Sequence, residues 1–148
     1  MKMRLFACVA IAGLASGLPA AAQDTPSPEG AKSYFANLED GAVVSSPFKV
    51  VFGLSGMGIA PAGTEKENTG HNHLLIDVPK LGEGEGGADA LIYAIPSDDN
   101  HIHFGGGQTE TTLELPAGKH TLQVVLGDLG HVPHSPPVMS DVITITVE

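Results

Sequence analysis

An all-β, immunoglobulin-like antiparallel sandwich of about seven strands is the fold class that this sequence predicts. Three observations carry that expectation. Beyond Gly30, short segments rich in Val, Ile, Leu and Thr are separated by Gly/Pro turns about every ten residues. No sustained 3.6-residue period of apolar residues replaces them. The run "ELPAGKHTLQVVL", Glu114–Leu126, has the form that sandwich domains use where strand E turns into strand F, with His120 in the place of the corner tyrosine.

The chain opens with Lys2 and Arg4. Leu5–Leu18 is an apolar stretch too short and too rich in small residues for a membrane span, and Ala20-Ala21-Ala22 supplies the small residues of a cleavage site before Gln23. Residues 1–22 therefore read as a signal peptide, residues 23–31 as a flexible Pro/Ser linker, and residues 32–148 as a single β-sandwich domain. The only cysteine, Cys8, falls within the signal, and Phe6 and the short segment before it fit a lipobox poorly. The mature chain is then free of cysteine, which excludes a disulfide framework and any thiolate metal site, blue copper included.

The strands follow in order. Ser33–Asn37 begins the domain, and Pro47–Ser55 places Phe48, Val50, Phe52 and Leu54 on one face. His71–Val78 and Ala90–Ile95 follow, then Thr109–Leu115. In His120–Leu126 the residues His120, Leu122, Val124 and Leu126 share a face, and in Val142–Val147 the residues Ile143, Ile145 and Val147 point opposite to Thr144 and Thr146. With Thr109–Leu115 as strand E, counting back makes Pro47–Ser55, His71–Val78 and Ala90–Ile95 strands B, C and D. His120–Leu126 and Val142–Val147 are F and G.

Signal removal takes the basic residues from 7 to 5 against 17 acidic ones, so the formal charge goes from −10 to −12. Such a chain repels nucleic acid and anionic lipid and attracts cations, although solubility alone also accounts for it. A membrane span is not expected after cleavage.

The histidines carry the functional signal. "HNH" at residues 71–73 and "HIH" at 101–103 share an H-x-H spacing, and "HVPH" at 131–134 is looser. Alternate residues of a strand point the same way, about 6.6 Å apart, so such a pair can lean onto one ion. In the assumed topology the B–C, D–E and F–G loops meet at one pole. His71, His73, His101, His103, His131 and His134 then gather there as a metal-ligand pool, and His120 falls at the other pole. Imidazole suits copper, zinc and nickel, and Met57 adds a thioether that would favour reduced copper. Asp77, Asp98, Asp99 and Asp128 are candidate partners that orient the imidazoles.

Plainer roles stand beside these. A lone surface histidine pair is ordinary, Met57 could anchor a loop, and Met139 could plug the core. His120 reads as a satisfied corner histidine. Gly105-Gly106-Gly107 lacks the lysine and helix of a phosphate loop, and no nucleophile elbow is present.

The run from "FGLSGMGIAPAG" through "TGHNHLLID" and "NHIHFGGG" to "HVPHSPPVMSDVITI" resembles the bacterial exported family known as domain of unknown function 4399, over nearly all of residues 48–147. The resemblance implies a small exported domain, alone or beside other periplasmic modules, and assigns no activity. It also implies a third histidine where this chain has Asn72. By architecture alone, the domain is similar to periplasmic copper carriers. The expectation is a periplasmic protein that carries or buffers a metal, copper first and zinc second. The competing expectation is an interaction module for an envelope protein or other non-metal ligand, with structural histidines. A metal-dependent enzyme ranks last, because no motif selects a reaction.

Overall fold

The computed structural model describes residues 25–148, so the expected signal peptide at residues 1–22 lies outside the described part. Among the described residues there are nine strands and one short helix: β1 Lys32–Phe35, β2 Val43–Val44, β3 Phe48–Ser55, β4 Gly58–Ile59, β5 Thr69–Ile76, α1 Gly87–Ala90, β6 His101–His103, β7 Glu110–Leu113, β8 Gly118–Gly127 and β9 Ile143–Val147. One sheet has the order β1-β3-β7. The other runs β2-β9-β8-β5-β4, with β6 paired to β5 as well. In sandwich lettering the two central trios are A-B-E and G-F-C, the expected antiparallel arrangement.

Alternation along the strands builds the core between the sheets. Phe48, Val50 and Phe52 of β3 and Leu113 of β7 face Leu74 and Ile76 of β5, Leu122 and Val124 of β8, and Ile143, Ile145 and Val147 of β9. Val50, Leu74, Leu122, Val124 and Ile145 are completely buried. Each contributes about 1.5–3 kcal/mol relative to exposure.

The expected strand D is not a strand. Ala90–Ile95 follows directly on the single-turn α1, with Ile92 and Tyr93 N–H donating to the Asp89 carbonyl at 3.0 and 3.1 Å. Leu91 and Ile92 are adjacent apolar residues, so the segment lacks the strict alternation a ladder needs. It serves instead as a cover. Leu91 and Ile95 pack with Leu81 against Leu75 and Val125 on the outer face of the large sheet. Gln123 ties this cover down: its Oε1 accepts from Leu81 N–H at 2.9 Å and its Nε2 donates to the Ser140 carbonyl at 3.1 Å.

The large sheet therefore has two buried faces, which is why β5 is buried almost throughout. Asn72, Leu74 and Ile76 point to the sandwich interior. His71, His73 and Leu75 point outward under the loops. Among the described residues no helix is long and apolar enough to cross a membrane.

Candidate metal centre

Register brings the histidines together. β5 and β6 are antiparallel with His73 opposite His103 and Leu75 opposite His101. β5 and β8 are antiparallel with His71 opposite Gly127 and His73 opposite Val125. Paired residues project from the same face of a sheet. His71, His73 and His103 thus share the outer face of β5 and β6, and the β8–β9 loop brings His131 over them. One ligand atom from each of these four residues lies within 4.8 Å of all the others. The six ring-centroid separations run from 4.6 Å (His103–His131) to 5.8 Å (His73–His131).

Two contacts reveal the chemistry. His71 Nε2 lies 3.0 Å from His131 Nδ1 and also 3.0 Å from His73 Nε2. An imidazole nitrogen has a single in-plane position, holding either a proton or a lone pair. In either tautomer His71 Nε2 serves one well-aligned partner, and the second contact is left without a proper hydrogen bond. A cation that accepts several lone pairs at once resolves this. Tetrahedral coordination with metal–nitrogen bonds of about 2.0–2.1 Å places ligand nitrogens about 3.4 Å apart. The observed spread meets that with small ring adjustments, so the four residues fit one ion.

Electrostatics favours the neutral, ligating form. Burial, followed by the charges of His131 and His103, pushes His71 down to about 4. Burial, followed by His71 and His103, pushes His73 down to about 3. His103 is lowered by burial and by His131. At neutral pH these rings keep lone pairs to donate. His71 Nδ1, His73 Nδ1 and His103 Nε2 are also buried without a hydrogen-bond partner among the described residues. Unmade bonds of that kind cost about 1–3 kcal/mol each, so the cluster is poorly explained as a stabilising patch.

Local backbone features make room for the rings. A Cβ on Gly127 would stand 2.8 Å from His73 Nε2 and 3.3 Å from His131 Cα, and one on Gly105 would overlap the His103 ring. His131 itself is left-handed, with φ 71°. That conformation costs a non-glycine residue about 1–2 kcal/mol, and Asp128 holds it. Asp128 Oδ1 accepts from Gly130 N–H at 2.8 Å and Val132 N–H at 2.9 Å. Its carbonyl accepts from His131 N–H at 3.0 Å, while the His131 carbonyl accepts from Ile95 N–H at 2.9 Å.

The other candidates lie elsewhere. His101 shares the outer face but sits two residues along β6, and its Nδ1 pairs with Asp98 Oδ1 at 2.8 Å. His134 is buried, with Nδ1 donating to the Leu126 carbonyl at 3.3 Å. A Cβ on Gly70 would stand 3.0 Å from its ring, which places His134 near the inward-facing side of β5. Gly58 pairs with Thr69, so Met57 stands three register steps before His71. The Met139 sulfur accepts from Gln123 Nε2 at 3.4 Å. The convergence of six histidines at one pole is thus corrected to a group of four on the outer sheet face. His101 is set apart because β6 pairs with β5 in this register, and His134 because its ring turns to the Leu126 carbonyl.

His120 occupies the sandwich corner as expected. Its Nε2 donates to the Pro116 carbonyl at 2.9 Å and its Nδ1 to Asp77 Oδ2 at 2.7 Å. Asn72 points inward, donating to the Gln108 carbonyl at 3.1 Å. A histidine at that position would face away from the four rings, so its absence removes no ligand from them.

Sequence reading missed the two clearance glycines, although "HFGGG" and "LGDLGH" set glycines beside histidines. It named Asp128 as a partner for an imidazole, whereas Asp128 binds the backbone of the loop.

No curated protein and no solved structure matches the chain. The family described as "Domain of unknown function (DUF4399)" matches residues 50–148, from β3 through the four-histidine group to the end of β9. That match spans well over half of the chain, and the protein belongs to this family.

Proposed function

We propose that this protein binds one transition-metal ion through His71, His73, His103 and His131, and that it acts as a periplasmic metal carrier or buffer. The observation that carries the proposal is the placement of His71 Nε2 at 3.0 Å from two other imidazole nitrogens at once. Copper is the first assignment. Nitrogen donors bind Cu²⁺ most tightly of the first-row divalent ions, and zinc comes second. The all-imidazole set, with Met57 outside it, favours the divalent state of copper over the reduced one.

Four imidazole ligands fill a four-coordinate shell, which suits holding an ion better than opening a position to substrate. The acidic surface supports the same role by raising the local cation concentration. Half-buried His103 and His131 give the ion a path to the buried pair. The test is metal analysis of the mature, untagged protein after loading with Cu²⁺ or Zn²⁺ and gel filtration. About one retained equivalent per chain is expected. Substoichiometric, mixed metal that a weak chelator strips would overturn the reading and favour structural histidines.

A further inference from the structure

The segment before β1 reaches the β8–β9 loop that carries His131. Pro26 forms a bridge with Ser135. Ser135 N–H donates to the Thr25 carbonyl at 2.9 Å, and Ser27 N–H returns a bond to the Ser135 carbonyl at 3.1 Å. Ser27 Oγ donates to the Pro136 carbonyl at 2.7 Å. Thr25 Oγ1 donates to Asp128 Oδ2 at 2.6 Å. The segment that reads as a linker in the sequence thus lies along the β8–β9 loop and contacts the carboxylate that organises it.

Each oxygen of Asp128 has its own task. Oδ1 gathers the Gly130 and Val132 amides and fixes the turn that holds His131 left-handed, while Oδ2 is held by Thr25. The carboxylate is almost fully buried. A free carboxylate could rotate and let go of one amide, and the Thr25 hydroxyl opposes that rotation. Loop ligands depend on such outer contacts. Breaking them commonly weakens metal binding by roughly tenfold to a hundredfold, even though the ligand itself is untouched.

We propose that Thr25 and Asp128 are positioning residues of the metal centre: the N-terminal strap locks Asp128, and Asp128 holds His131 over His71, His73 and His103. The inference rests on the metal-binding reading above. It adds that the centre is completed by two residues that carry no ligand, and one of them, Thr25, lies far from the histidines in sequence. Asp128 has a second effect here. Its negative charge is felt at His71 and would offset part of the charge of a divalent ion.

The test uses the mature protein with Thr25→Val, Thr25→Ser, Asp128→Asn and His131→Ala. Cu²⁺ affinity is measured by chelator competition, and the electron paramagnetic resonance spectrum reports the coordinating nitrogens. Thr25→Val is expected to lose roughly tenfold in affinity and Asp128→Asn up to a hundredfold. Their spectra should shift toward that of His131→Ala. Thr25→Ser, which restores the hydroxyl, should return both affinity and spectrum to wild type. Metal-free unfolding midpoints identify any variant that fails to fold, and the Thr25 pair decides the matter if Asp128→Asn does. Wild-type affinity and an unchanged spectrum in Thr25→Val would overturn the positioning role while leaving the metal centre standing. Failure of the unaltered protein to bind Cu²⁺ would overturn both.

Discussion

His120 and the His71–His73 pair are the same side chain in opposite circumstances. His120 has an acceptor for each ring nitrogen, the Asp77 carboxylate and the Pro116 carbonyl. The Asp77 hydrogen bond, then the Pro116 one, raises its pKa. Burial, and then the imidazoles they face, pushes His71 and His73 far down. On the metal-binding reading proposed above, the difference separates a structural histidine from a ligating one. A ring surrounded by acceptors wants its protons, whereas rings that face one another have lone pairs to spare and no proton to share among them all.

The largest effect should come from removing the pair. His71→Ala with His73→Ala is expected to abolish tight metal binding, measured as retained Cu²⁺ or Zn²⁺ after gel filtration. His120→Ala should leave that binding intact while costing about 1.5–3 kcal/mol of stability through two lost hydrogen bonds of a charged ring. Retained binding in the double variant would break the comparison.

Gly127→Ala tests the same site without touching a ligand. The new methyl would meet His73 Nε2 at 2.8 Å, and both His73 and the adjacent His71 are buried. Affinity should fall roughly tenfold or more, with a destabilisation of about 1–3 kcal/mol from overpacking. Chelator competition and chemical denaturation read the two effects separately.

The pH dependence sharpens the corner half of the comparison. The folded pKa of His120 lies above its ordinary value of 6.5. Its contribution to stability is therefore full below pH 6.5 and is lost as pH rises through the raised folded value. The stability gap between wild type and His120→Tyr should shift in favour of the tyrosine variant as pH is taken from 6 to 9. A gap that stays constant across that range would remove the charged corner. The smallest effects belong to His101→Ala and Met57→Leu. Both should change metal affinity by less than about threefold, because His101 is engaged with Asp98 and Met57 stands three register steps before His71.

Much of this molecule is legible in its sequence. The alternation of Phe48, Val50 and Phe52, or of Leu122 and Val124, follows directly from the strand period, and the Leu-Pro-x-Gly turn fixed the position of His120. The H-x-H spacing likewise foretold that His71 and His73 share a face. The sequence does not show what covers that face. Leu91, Ile92 and Ile95 carry the apolar content of a strand, yet only tertiary packing makes Leu91 and Ile95 a cover over Leu75 and Val125 and leaves Ile92 exposed. His101 and His103 look equivalent in sequence, yet register against β5 sets His103 beside His73 and His101 beside Leu75. Thr25 carries no sequence signal for its bond to Asp128, because the two are far apart in the chain. A ligand set built by cross-strand register and one loop in a left-handed turn depends on contacts that local patterns do not encode.

X-ray absorption spectroscopy of the Cu²⁺- or Zn²⁺-loaded protein tests the central claim most directly, because it counts the imidazoles around the ion. The account expects about four histidine nitrogens at about 2.0–2.1 Å with no sulfur scatterer. A shell of mostly oxygen, or one or two imidazoles completed by water or by sulfur, would contradict a centre made by His71, His73, His103 and His131.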